Sequence, residues 1–216
     1  MELKVKQLEE ALDASVEARD KVKQRLAITS AERSRTLIQF IEKLKIILAE
    51  AYRILTETSD SKVYGHADLY LEDQEQPFMG GIYYSPTPPS KRFVYDVDQL
   101  SGGEKSLASI ALQFSAAVAS KAPFIMLDES DAFLDNENVN KLINLIFRGI
   151  EGTWLTKTAN GLQFVVVSHK QPLFGSGDSL VGAMNRERSS RVFSLRLDTV
   201  WYLIKILDHG DAQPTY

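Results

Sequence analysis

The chain has 216 residues, 44% of them hydrophobic and 25% charged, with a formal net charge of −4. That composition is ordinary for a globular domain with one core, and it excludes a whole-chain basic footprint for nucleic acid while leaving local patches open. Cysteine is absent, which excludes disulfides and thiolate metal sites and suits a reducing compartment, cytoplasm or nucleus. Apolar runs are far shorter than a membrane span, and the charged start Met1-Glu2-Leu3-Lys4-Val5 lacks a signal-peptide core, so no membrane partner is expected.

Residues 1–57 contain neither Gly nor Pro and are rich in Lys, Arg, Glu, Ala and Leu. Val5, Leu8, Leu12, Val22 and Leu26 fall on alternating spacings of three and four, with polar Ser15 and Arg19 on the same seam. Leu37, Phe40, Leu44, Ile47, Ala51 and Leu55 continue it more strongly. A period of about 3.5 residues predicts a coiled coil passing into a helix buried on a broader face. The alternative is a single long amphipathic helix of a globular fold. Nothing in the chain pairs with the seam, so a partner strand is expected to be missing.

From residue 58 the texture changes to strands and turns. Ala67-Asp68-Leu69-Tyr70-Leu71 alternates, and Gly80-Gly81 leads into the β-rich Ile82-Tyr83-Tyr84. Pro86, Pro88 and Pro89 predict a loop. After Leu100, helices over 104–120 and 137–148 alternate with apolar strands over 123–127 and 163–167. That order predicts an α/β fold with a mostly parallel sheet covered on both faces by helices. Val192–Leu197 and Val200–Ile206 are two further strand candidates.

Phe124-Ile125-Met126-Leu127 runs into Asp128-Glu129, an apolar strand ending in two carboxylates. Beyond the carboxyl ends of parallel strands is where ligands bind, and this pair suits Mg-nucleotide chemistry. Asp128 is the candidate Mg²⁺ ligand, and Glu129 the group that orients and deprotonates an attacking water. A surface Asp-Glu pair ending a strand is the plain alternative.

Upstream, Leu100-Ser101-Gly102-Gly103-Glu104-Lys105 reads as a capping box, with Ser101 as N-cap and Glu104 three residues on. The box does not explain Gly102 and Gly103, which disfavour a first helical turn. Bare amides at a helix N-terminus make an anion site suited to phosphate. Asp131-Ala132-Phe133-Leu134-Asp135-Asn136 follows the carboxylates, and His169 follows the strand ending Val165-Val166-Val167-Ser168. A lone His after a strand is more often structural, but this one falls at the same sheet edge as Asp128 and Glu129.

That order of motifs resembles the C-terminal part of an ABC-type ATPase. No G-x-x-x-x-G-K-[ST] phosphate loop occurs in the chain. An ABC protein interrupted by a coiled coil, with that loop on its far side, resembles the SMC and Rad50-type proteins. The stretches Ala67–Asp73, Gln76–Tyr84, Pro88–Phe93 and Ser179–Ala183, with Arg186 and Ser189-Ser190-Arg191, are similar to the cohesin SMC subunit of the first kind. Three features depart from it. Phe133 stands where that family usually has Ala, His169 where many members are apolar, and residues 148–162 with Trp154 are unmatched.

The resemblance implies a coiled-coil arm over 1–57 and the C-terminal half of an ABC-type head over 58–216. It implies ATP and Mg²⁺ as cofactors, with Asp128 and Glu129 acting on the ATP of their own head. Ser101, Gly102, Gly103, Glu104 and Lys105 would meet the ATP of a partner head, Leu134 and Asp135 would belong to the loop between heads, and His169 would sense the γ-phosphate. Implied partners are the N-terminal head segment of the same polypeptide, a second SMC head, a kleisin subunit and DNA, on chromosomes in the nucleus. The role implied is ATP-gated chromosome tethering or loop formation. A Rad50-type DNA-repair ATPase and another, condensin-like SMC subunit are the nearest alternatives. A transporter ATPase fits poorly with an N-terminal coiled coil, and a non-catalytic module fits poorly with the Asp128-Glu129 pair. Arg186, Arg188, Arg191 and Arg196 form only a weak basic cluster for DNA.

Overall fold

The computed structural model describes residues 2–58, 63–92, 94, 97–148, 162–186 and 189–197. Helix α1 runs unbroken over Glu2–Thr56, as a stretch without Gly or Pro allows. Its first part stands in solvent, with Val5, Leu8, Leu12, Val22 and Leu26 all exposed. From Ile41 the same spacing turns inward. Ile41, Leu44, Ile47, Leu48, Ala51, Tyr52 and Leu55 are buried in the core, because residues three and four apart share one helix face. At the exit from α1, the Thr56 hydroxyl donates to the Tyr52 carbonyl at 2.6 Å and accepts from the Gly65 amide at 2.9 Å. Gly65 is needed there: a Cβ would lie 2.6 Å from the Thr87 carbonyl oxygen and 2.8 Å from the Tyr52 ring.

Strands β1 (His66–Leu71) and β2 (Ile82–Thr87) pair antiparallel, and β1 packs on α1. Here one expectation fails. Pro86 lies inside β2, fully buried and opposite Ala67, and only Pro88 and Pro89 fall in the loop. β2 has β1 as its only neighbour among the described residues, and an edge strand tolerates a proline that has no N–H to donate.

A short 3₁₀ turn, Val97–Gln99, precedes α2 (Gly102–Ser120), β3 (Phe124–Asp128), α3 (Asn136–Arg148), β4 (Gln163–Val167) and the short α4 (Gln171–Gly175). β3 and β4 pair in parallel, Phe124 opposite Gln163 through Asp128 opposite Val167. The expected parallel ladder is present between these two strands; β5 (Ser179–Arg186) and β6 (Ser189–Arg196) form an antiparallel hairpin instead. β5 went unrecognised as a strand because small residues such as Gly182 and Ala183 interrupt its alternation. Val200–Ile206 and residues 149–161, including Trp154, lie outside the described residues. No helix among the described residues is long and apolar enough to cross a membrane.

The continuous apolar strands led to an expectation of burial on both faces, and that is corrected. Ile125 and Leu127 are buried, and Ile110 and Phe114 of α2 with Leu142, Leu145 and Ile146 of α3 surround them and Phe164. On the other face Phe124 is 52% exposed and Met126 65%, and no described element covers them. Among the described residues, helices cover one face of this ladder.

Candidate functional site

The site forms at the carboxyl end of β3 and β4. Asp128 is the last residue of β3, and Glu129 turns the chain away from it with φ +47°. A positive φ is costly for a residue with a Cβ, of order 1–3 kcal/mol where the surroundings hold it. What holds it is visible. The Glu129 amide donates to the Val167 carbonyl at 2.9 Å, and the Ala132 amide donates back to the Glu129 carbonyl at 3.0 Å. The strained turn sends the Glu129 side chain outward, where Oε1 lies 3.0 Å from Nε2 of His169. Both side chains are well exposed, 57% for Glu129 and 86% for His169. A carboxylate with an imidazole beside it, open to solvent at a sheet edge, is equipped to orient and accept a proton from water.

The second component is the N-terminus of α2. Ser101 takes an extended conformation, φ −65° and ψ 164°, and makes the full capping box. The Glu104 amide donates to Ser101 Oγ at 3.3 Å, and the Ser101 amide to Glu104 Oε2 at 2.8 Å. The Lys105 amide bonds the Ser101 carbonyl. The Gly102 and Gly103 amides are left without a protein acceptor among the described residues, as the first turn of any helix leaves its leading donors. Two bare N–H groups at the positive end of a 19-residue helix fit a phosphate oxygen.

Glu104 and Lys105, expected to meet a partner's nucleotide, are engaged at home. Lys91 Nζ reaches Glu104 Oε2 at 2.7 Å, and the Ser90 hydroxyl donates to Oε1 at 3.1 Å. Burial alone would raise the Glu104 pKa, but the hydrogen bonds from Lys91, the Ser101 amide and Ser90 overcome it and hold the carboxyl at about 2. Lys105 Nζ pairs with Asp98 Oδ1 at 3.0 Å. These residues brace the helix terminus, and Ser101, Gly102 and Gly103 are what it presents.

The turn over residues 129–135 joins the two components. Asp131 is 3% exposed and accepts the Ser168 hydroxyl at 2.6 Å, while Ser168 Oγ accepts the Lys170 amide at 2.9 Å. The loop after β3 is thus tied to the loop that carries His169. Leu134 is buried in the core, and Asp135 Oδ1 accepts the Asn138 amide at 2.8 Å, capping α3. Leu134 therefore anchors the turn from inside, and Asp135 is the exposed member of the pair. Phe133 lies over the α2 terminus: a Cβ on Gly102 would sit 3.7 Å from its ring, and one on Gly103 would sit 3.1 Å from its carbonyl oxygen. Close approach by the Phe133 carbonyl is thus one physical reason for Gly103, whereas a Cβ on Gly102 would make only an ordinary contact with the ring. The sequence had given Asp131, Lys91 and Asp98 no role, since none carries a spacing signal and each acts through a residue distant in the chain or a side chain's reach.

As a nucleotide site the edge is partial. Asp128 projects one carboxylate, and among the described residues no cluster of three or more His, Cys, Asp or Glu could hold a metal ion. That donor set fits Mg²⁺ arriving with a nucleotide, where phosphate and water complete the shell.

Fold and site define a class: an α/β lobe with a glycine-led helix terminus against the turn that follows a strand-end Asp-Glu pair, joined to a long helix whose first part is exposed and whose last part is in the core. The chain belongs to the SMC family. The RecF/RecN/SMC N terminal domain matches residues 3–191. The chain is 35% identical over 200 residues to Structural maintenance of chromosomes protein 1 of Schizosaccharomyces pombe, covering 92% of this chain and 16% of that protein. It is 41% identical over 151 residues to its namesake from Saccharomyces cerevisiae, covering 68% and 12%. The chain thus spans a small part of these relatives. Among solved structures it resembles the Smc head domain with an extended coiled coil bound to the C-terminal domain of ScpA from Pyrococcus furiosus. There the TM-score is 0.70 and the identity 25%, over 88% of this chain and 44% of that one. A structure described under ATP-driven dimerization and DNA stimulated activation of SMC ATPases matches with a TM-score of 0.61 and 25% identity, over 84% and 99%.

Proposed function

We propose that this chain is the C-terminal half of a cohesin-type SMC ATPase head, binding and hydrolysing ATP between two engaged heads to drive chromosome tethering or loop formation. The observation that carries the reading is that the turn after β3 opens with the Asp128-Glu129 pair and, at Phe133, lies against the glycine-led N-terminus of α2. Residues 1–57 are the coiled-coil arm, entering the head over its last turns, and 58–216 are the C-terminal half of the head. The N-terminal segment of the same polypeptide brings the phosphate loop and lies on the exposed face of β3 and β4. Asp128 then holds Mg²⁺ of the ATP on its own head, and Glu129 takes the proton of the attacking water. His169 keeps the Glu129 carboxylate in place and meets the γ-phosphate, and Asp135 faces the other head. Ser101 and the amides of Gly102 and Gly103 receive the phosphate of the ATP on the opposing head. Bound Mg-ATP supplies a phosphoryl group whose charge the surrounding residues stabilise. A second SMC head and a kleisin complete the assembly, with DNA as its cargo, on chromosomes in the nucleus. The binding and dimerization named for the similar structures support these partners.

Glu129→Gln in the full-length protein tests the reading. The variant keeps size and hydrogen bonding but loses the basic oxygen. Turnover of ATP at this site falls about 10²–10⁴-fold, the scale of a lost general base. ATP binding survives and engaged heads accumulate. Single-turnover hydrolysis of pre-bound ATP is the measurement, and a wild-type rate at this site rules Glu129 out as the base.

A further inference from the structure

Phe133 is 74% exposed. Isolated apolar side chains on a surface are commonplace and call for no explanation, but this one has an unusual seat. Its ring lies where it would be 3.7 Å from a Cβ on Gly102, and its carbonyl oxygen 3.1 Å from a Cβ on Gly103. The ring is therefore beside Gly102 and the backbone of the same residue beside Gly103, the two residues whose amides have no protein acceptor among the described residues. Its backbone is fixed on both sides: Asp131 is tied to Ser168, Leu134 is buried, and the Leu134 amide donates to the Asp131 carbonyl at 3.0 Å. An aromatic ring carried on a rigid turn loses little conformational freedom when it is covered.

We infer that Phe133 is an apolar anchor of the interface with a second ATPase head, covered when that head's nucleotide docks on Ser101, Gly102 and Gly103. The inference rests on the proposed docking of a partner's nucleotide at the α2 terminus and adds to it a residue and a chemistry. Any phosphate that reaches the Gly102 and Gly103 amides brings the protein surface holding it against the ring. The partner is thus a second head with apolar or small side chains beside its phosphate loop, since a charge buried on the ring would lose its hydration without a counter-charge. Aromatic side chains that pass from exposed to fully covered are the type that dominates interface energetics. In the free head the ring is mostly in water, so its removal takes little from the fold.

The test measures ATP-dependent association of the full-length protein, its N-terminal head segment included, with its partner head, in the hydrolysis-blocked Glu129→Gln background. Phe133→Ala should weaken association at least about tenfold, the scale of an interface anchor. Phe133→Leu should recover a good part of it, and ATP affinity of the unengaged head should stay at its parent value. Ser101→Arg, run alongside, should abolish association. If Phe133→Ala associates normally while Ser101→Arg does not, the anchor is overturned and the docking reading stands. Normal association of both overturns the two together. If Phe133→Ala melts well below the parent and Phe133→Leu restores melting and association in step, the ring is part of the fold and the anchor is overturned.

Discussion

Glu104 lies at the foot of α2, and its carboxylate receives Lys91, Ser90 and the Ser101 amide at once. These bonds bring its pKa from an ordinary 4.5 down to about 2 against the opposing effect of burial. A carboxyl with a depressed folded pKa stabilises the fold fully above its unfolded value, and the contribution fades as pH falls through the folded one. The loss is therefore confined to the window from 4.5 down to about 2. Glu104→Gln keeps a cap at that position but loses the ionic partner of Lys91. Denaturant midpoints of parent and variant should differ by a constant amount above about pH 5 and converge below it. A gap that persists unchanged at pH 3 would show that Glu104 acts without its charge. The capping box itself was legible from Ser101 and Glu104 three residues apart. Lys91 was not, because its partner stands 13 residues downstream and no local pattern marks the pair. Likewise the Asp128-Glu129 pair was legible as chemistry, while the left-handed turn at Glu129 that aims it is set by the Val167 carbonyl on another strand.

At the scale of elements, α1 has two parts with different energetics along one continuous helix. Leu12, on the apolar seam, is 63% exposed, whereas Leu48, next to the seam residues Leu44, Ile47 and Ala51 on the broader inner face, is fully buried. Leu48→Ala should cost about 2–5 kcal/mol of stability, a transfer loss plus a cavity. Leu12→Ala should cost this chain no more than about 0.5 kcal/mol, as for other surface positions. Urea denaturation of the chain compares them directly. Equal losses would mean that the outer helix folds back on the head, contrary to a free arm. Period and composition made α1 readable over its whole length. They could not say where the seam passes from solvent into the core, because the same three-and-four spacing serves both. The hidden strand β5 and the proline within β2 escaped for the complementary reason. Strand propensity depends on what lies beside the strand, and a lone edge ladder admits residues that a central strand refuses.

Across the whole molecule the proposed reading gives the uncovered face of β3 and β4 and the lack of a phosphate loop one account: a single further head segment would bring both the second layer and the loop. Its consequence is quantitative. Micromolar affinity for a nucleotide requires about 8 kcal/mol. A helix terminus contributes typically about 0.3–1 kcal/mol to an anion, rising to about 2 kcal/mol when partly buried. Asp128 and Glu129 oppose the triphosphate until Mg²⁺ lies between them. Two bare amides therefore fall far short, and this chain alone should show no measurable heat of binding when titrated with micromolar to sub-millimolar Mg-ATP. Adding the N-terminal head segment should restore binding, since its phosphate loop would surround the β- and γ-phosphates with backbone amides and a lysine. The same addition should bury Phe124 and Met126 and raise the melting temperature of this chain before any nucleotide is present. Micromolar binding by the chain alone would mean that the described edge is a complete site, and the division of the head into two halves would be wrong.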